Sequence, residues 1–220
     1  MFDFFKKKKN NDFQIHRKVK VGLALGGGGA RGIAHIGAIK AFGDLTVFSE
    51  MKIPLSVVCT DLKTGKEVDF DYGNVAKVVS GSCAVPGVFT PVVYEDMHLI
   101  DGGLRNNVPA DVVKKMGANV VFAIDVNHLR GTGTQSTSTI SVLSSTIGIM
   151  MQAKIDKTME CADLIFEPAL ENFSPLKFEG FDDMIKIGYN TVMANKDKIQ
   201  KILGINPKKI GKYFTNDKKD

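Results

Sequence analysis

The sequence predicts an α/β protein: three layers, with a mostly parallel central sheet and helices on both faces. Three observations lead there. Short apolar or alternating runs, bounded by turn residues, take turns with stretches of helical spacing. A strand over 18–25 runs through glycines directly into a helix. The run 119–126 is short and continuously apolar at its centre, the pattern of a strand covered on both faces. Strands that alternate with helices in this way build parallel sheets.

The elements follow in order. Residues 18–25 alternate and then turn apolar, as a strand entering a core does. After Gly26-Gly27-Gly28-Gly29-Ala30-Arg31-Gly32, the apolar residues Ile33 and Ile36, then Ala34, Ala38 and Ala41, recur at helical spacing to about Phe42. Gly43 to Thr46 reads as a turn, followed by a short amphipathic stretch to Lys52. Residues 54–60 read as a buried strand, and 66–70 pair with it across Lys63-Thr64-Gly65. A short helix over 74–79 ends where Ser80 to Gly87 break regular structure. Residues 91–94 and 97–100 form a hairpin turning at Glu95-Asp96. The second arm ends at Asp101-Gly102-Gly103. Pro109 opens a helix that closes at Gly117. The strand 119–126 and a polar loop over 131–139 come next. A helix over about 140–160, a last strand over 163–167 and a helix over about 181–203 complete the chain. Gly204 and Pro207 stop that final helix. No internal repeat is present.

Composition narrows the function. At 220 residues, 44% hydrophobic and 24% charged, the chain is a single globular domain with a full core. The domain spans 17–205, between a basic tail over 1–16 and a polar basic tail over 206–220. No apolar run reaches the roughly 18 residues that cross a bilayer, and the start lacks a signal-peptide core. The expected location is therefore the cytoplasm. Cys59, Cys83 and Cys161 are scattered and form no metal-ligand spacing, so no metal and no cofactor are expected. The net charge of +5 belongs to the ends, where residues 1–20 alone carry seven basic groups against two acids. A nucleic-acid reader needs its basic groups on a folded face, so that partner class is disfavoured. Phe2, Phe4 and Phe5 beside Lys6 to Lys9 would suit peripheral contact of residues 1–20 with an anionic inner membrane face; a solvated start is the other reading.

Four consecutive glycines before a helix leave backbone N–H groups bare beside the positive end of the helix dipole, a place for negative charge. That charge belongs either to a bound phosphate or to the oxyanion of a carbonyl under attack. Gly27-x-Gly29-x-x-Gly32 also matches the dinucleotide fingerprint, which wants an acid about 20 residues on. Asp61 follows a strand but stands 29 residues after Gly32. Asp101, flanked by Gly102 and Gly103 at a strand end, suits a base that takes the proton of a hydroxyl nucleophile. A turn aspartate bonding its own backbone has the same local sequence.

Together these blocks resemble the patatin-like phospholipase family, lipid acyl hydrolases with a serine–aspartate dyad. Residues 26–32 with His35-Ile36-Gly37 look like its oxyanion-loop block, and 54–61 look like its central strand. The run from Ser82 to Pro91 looks like the block before its aspartate. Asp101-Gly102-Gly103-Leu104-Arg105-Asn106-Asn107-Val108-Pro109 looks like the aspartate block. The resemblance covers about 18–127. It implies that the backbone N–H groups of Gly27, Gly28, Gly29, Ala30, Arg31 and Gly32 form an oxyanion hole and that Asp101 is the proton acceptor. It also implies that phospholipid or another lipid ester is the substrate. His35 is then a helix-packing residue and no triad member.

One departure stands out. The family carries its nucleophile in G-x-S-x-G at a strand-to-helix elbow. None of the ten serines here has glycine two positions before it. The elbow, its strand and the helices after it should lie between Phe42 and Pro54, so an internal deletion near 43–53 is inferred and the chain as it stands is expected to be inactive. Either a normal enzyme has been shortened, or the protein is a genuine non-catalytic lipid- or partner-binding form. Losing an interior strand bares the edges of its neighbours, which favours the first account. A replacement nucleophile at Ser82 or Cys83 and a nucleotide-binding α/β domain are the remaining alternatives.

Overall fold

A computed structural model of the chain describes residues 19–45, 54–127, 157–175 and 177–204, with single helical positions between 139 and 155. The two tails, the stretch 46–53 and the loop 131–138 lie outside the described residues.

The parallel sheet has three strands, β1 (Val21–Leu25), β6 (Val120–Ile124) and β7 (Leu164–Phe166), in the order β1-β6-β7. Val21 stands beside Val120 and Leu25 beside Ile124, and β6 runs parallel to β7 as well. The side chains of β6 alternate between two cores, as the period of two requires. Phe122 and Ile124 pack under α1 (Ala34–Leu45), α5 (Phe181–Ala194) and α6 (Lys196–Leu203). Val121 and Ala123 pack on the other side with Val108, Ala110, Ile155 and Met159. Ala110 opens the short helix α4 (Ala110–Lys115), and residues 155 and 157–159 are helical. The sheet is therefore covered by helices on both faces, and the α/β class is as the sequence predicts. The rings of Phe42 and Phe122 stack at 5.4 Å, and both meet the edge or face of Phe166.

A second sheet takes the remaining strands. β2 (Val57–Asp61), β3 (Lys66–Phe70), β4 (Val92–Tyr94) and β5 (Met97–Asp101) lie in the order β3-β2-β5-β4, with every pair antiparallel. Both expected hairpins form. Gly65 takes φ 65° in the first turn and Glu95 φ 51° in the second. Such short turns join only antiparallel strands. This accounts for four strands standing outside the parallel sheet. α2 (Val75–Ser82) covers one face through Val78, against Cys59, Phe70 and Leu99.

Two helices differ from expectation. α2 continues through Gly81 to Ser82, because a bare Gly81 lets the helix sit on Leu99; a methyl there would lie 2.7 Å from Leu99 Cβ. The last helix breaks at Asn195 into α5 and α6. One further turn, α3 (Gly103–Asn106), was not foreseen.

Candidate active site

The glycine loop leaves β1 at the carboxyl ends of the parallel strands, where open α/β sheets place their ligands. Gly26 N–H donates to Ile124 O at 2.9 Å, which ties the start of the loop to β6. Gly29 takes φ +57°, and a side chain there would also strike Pro175 O. A 3₁₀ turn, Gly29–Ile33, then feeds directly into α1.

The N–H groups of the loop divide into two sets. Gly27 donates to Asn107 O at 2.9 Å, Ala30 to Pro175 O at 2.9 Å, and Arg31 to Gly28 O at 3.2 Å. Gly28 and Gly29 have no protein acceptor among the described residues, and they stand at the positive end of a helical stretch. Arg31 itself points inward and is only 6% exposed. Its Nε donates to Phe173 O at 2.8 Å and its Nη1 to Asn127 Oδ1 at 2.9 Å. Burial works against its charge, and Glu171 supports it. The Arg31 side chain thus clamps the 171–175 segment to the loop.

His35 reaches back to the start of the loop, nine residues earlier. Its Nε2 lies 2.9 Å from Gly26 O, and a carbonyl only accepts, so Nε2 carries the proton. Burial lowers its pKa, which keeps the ring neutral. The ring fixes the Gly26 carbonyl, and its buried Nδ1 meets no hydrogen-bond partner among the described residues.

Asp101 ends β5 opposite Cys59 of β2. Its N–H donates to Ala84 O at 3.1 Å, its carbonyl accepts from Thr60 Oγ1 at 3.0 Å, and its Oδ1 accepts the Gly103 N–H at 2.7 Å. Burial raises the pKa of this carboxyl, and the Gly103 bond offsets part of the rise. Gly102 must be bare, since a methyl there would overlap Val58 O.

Asn107 joins the two motifs. It is buried, and its Nδ2 donates to Gly27 O at 3.3 Å. A methyl at Gly27 would stand 2.6 Å from Asn107 Oδ1, and one at Gly103 would stand 2.7 Å from the same oxygen. Gly103 is the residue that holds the Asp101 carboxylate. One asparagine side chain therefore separates the glycine loop from the Asp101 turn. The sequence contains Asn107 within the aspartate block but gives no sign of this role. Arg31's partners Phe173 and Asn127 were equally invisible, since each lies about a hundred residues away or more.

Ser82 Oγ donates to Val58 O at 2.7 Å. Cys83 is exposed, and its thiol is pushed up by burial and by the charge of Asp101. Cys59 is buried, and burial with Asp101 and Cys83 pushes its thiol up to about 12. Asp61 accepts bonds from Thr64 Oγ1 and from the N–H groups of Lys63 and His98, so its carboxylate closes the β2–β3 turn. Those bonds, Thr64 first, hold its pKa down. Among the described residues no group of acids, histidines and cysteines is placed to hold a metal ion, and no helix is long and apolar enough to cross a membrane.

Comparison with known proteins gives the same family as the motifs. The Patatin-like phospholipase profile matches residues 46–114. Lysophospholipase nte1 of Emericella nidulans is 24% identical over 83% of this chain and 18% of its own length. Patatin-like phospholipase domain-containing protein 7 of Mus musculus is 25% identical over 64% of this chain and 12% of its own. An uncharacterised NTE family protein of Mycobacterium bovis is 32% identical over 36% of this chain and 22% of its own. The chain spans about a fifth or less of the length of these relatives. Over residues 46–114 the chain is similar to the patatin-like phospholipase family.

Proposed function

We propose that this is the catalytic domain of a lipid acyl hydrolase that has lost the segment carrying its nucleophile. The observation that carries the reading is the meeting of Asp101 and the glycine loop across Asn107. In the complete reaction Asp101 takes the proton of a serine hydroxyl, the oxygen attacks the ester carbonyl, and the bare N–H groups of Gly28 and Gly29 receive the oxyanion. The raised pKa of Asp101 suits a base. Gly27, Ala30, Arg31 and Gly32 shape the loop around that hole. The substrate is a phospholipid or related lipid ester, in keeping with the lysophospholipase name of the relatives.

The deletion has its own support. The match to lysophospholipase nte1 runs over 280 positions yet takes in 83% of a chain of 220 residues, so about a hundred of its positions have no counterpart here. We place that gap near 43–53. The tails over 1–16 and 206–220 lie outside the catalytic domain, which sits in the cytoplasm and touches the inner membrane face through residues 1–20. A second reading is a natural non-catalytic lipid-binding form. It is favoured by the Arg31 clamp and both sheet cores, which are intact without the segment.

The test is labelling with a serine-directed fluorophosphonate, with peptide mapping and an activated-ester assay alongside. No label and no turnover above blank are expected, because an acyl-enzyme needs a nucleophile within about 3 Å of its base. Stoichiometric labelling of Ser82 that disappears in Asp101→Asn would show a recruited nucleophile and overturn the inactive reading.

A further inference from the structure

An apolar groove of about 230 Å³ opens beside the second sheet. Its floor is Phe70 and Val78, each 2% exposed, with the half-buried Val57. Its rim is Leu55, Tyr72 and Val75, each about 60% exposed. The floor is fixed: Phe70 meets Tyr94 edge to face, and the Tyr94 hydroxyl accepts the Asn74 N–H at 3.1 Å. Side chains that are both large and this exposed, gathered around one concave site, mark a place where something apolar binds.

From this groove we infer that it holds the distal end of a lipid acyl chain whose ester lies at Asp101. The inference rests on the lipid-hydrolase reading above and assigns that reading a chain-binding site. The groove continues as a track. Val75, Val79 and Cys83 follow at steps of four along one face of α2 and its cap, all exposed. Eight residues of helix cover about 12 Å. The track ends at Cys83, next to Ala84, whose carbonyl accepts the Asp101 N–H. A single apolar stripe suits a linear chain better than a ring system. The groove also sets direction. Among the described residues Asp71 is its one charged lining residue, and no lysine, arginine or amide side chain lines it. A phosphate or carboxylate is thus repelled from this end, which leaves the terminal methyl here and sends the polar end toward the glycine loop.

The probe is lysophosphatidylcholine whose hexadecanoyl chain ends in a photoreactive diazirine, used on the full chain with unlabelled lipid as competitor. Competable label is expected on the peptide covering 71–78. It should fall about tenfold or more in Val75→Asp, which puts a charge on the rim at the cost of one apolar contact. Val75 is exposed in the first helical turn, where an acid is tolerated, and Leu55→Ser serves as a second variant should the first fail to fold. Competable label confined to 26–32 or 84–105 would overturn the groove assignment and leave the lipid reading standing. No competable label anywhere would overturn both. Groove label indifferent to either variant would also remove the assignment. So would an unlabelled parent dimer that Val75→Asp dissociates, since the groove then belongs to a second copy.

Discussion

Asp101 is held at three points of its main chain and side chain, yet among the described residues its carboxylate receives one hydrogen bond, from Gly103. Burial outweighs that bond, so its pKa rises on folding. The consequence for stability has a definite sign. A carboxyl with a raised folded pKa costs nothing below its unfolded value of about 3.9. As pH rises from there the unfolded chain loses its proton first, and stability falls until the folded carboxyl has ionised too. Asp101→Asn keeps an oxygen for the Gly103 N–H and removes the charge. It should melt higher than the parent at pH 7, with a gap that closes below pH ~4. His35, whose pKa is lowered by burial, works in the opposite direction but is common to both proteins and cancels. Thermal melts from pH 3 to 8 check this; a gap independent of pH would mean that burial does not set the Asp101 pKa. At this scale the sequence was informative about residue type and silent about partners. Asp101 and the glycines were legible because their neighbours constrain the backbone. Asn107 was not, because its role depends on Gly27, eighty residues earlier in the chain.

At the scale of elements, the closest packing is between α1 and α5. A methyl on Gly188 would overlap Ala34 O, and one on Gly37 would overlap Ile185 O. These two glycines let the helices touch backbone to backbone, with Ala34, Ala38 and Ala41 filling the seam. Two effects oppose each other in Gly188→Ala. Helix propensity favours alanine by about 1 kcal/mol. Overpacking against a carbonyl, which cannot rotate aside as a side chain can, costs about 3 kcal/mol. The net loss should be about 2 kcal/mol, read as a lower urea midpoint at unchanged slope. An unchanged midpoint would show that α5 slides freely on α1. Helices and strands were legible where periodicity is local, as in α1, β6 and both hairpins. The pairing of β2 with β5 was not, because strands nearly forty residues apart find each other through Cys59 facing Asp101 and through the shared cover of α2. Gly81 misled for a related reason: read alone it breaks a helix, whereas against Leu99 it permits one.

At the scale of the whole molecule, the parallel sheet is unequal at its two sides. β6 is central, bonded to β1 and to β7, and its Phe122, Ala123 and Ile124 are fully buried. β1 pairs with β6 alone among the described residues, and Leu25 at its end is 39% exposed. An edge strand of this kind leaves alternate N–H and C=O groups without ladder partners, which is the state that the proposed loss of a neighbouring strand would leave. Lys20 directly precedes it, and a charge of that kind discourages a foreign strand from adding on. Native-state hydrogen exchange distinguishes the possibilities residue by residue. Amides of residues 120–124 should exchange only through global unfolding, whereas β1 should alternate: slow at N–H groups turned to β6, fast at those turned away. Sedimentation at the same concentration should show one species. If every amide from Val21 to Leu25 is as slow as those of β6, the edge is covered in solution. A monomer would then place the cover within the chain itself, and a dimer would place it in a second copy; in both cases the bare-edge account of the sheet is wrong.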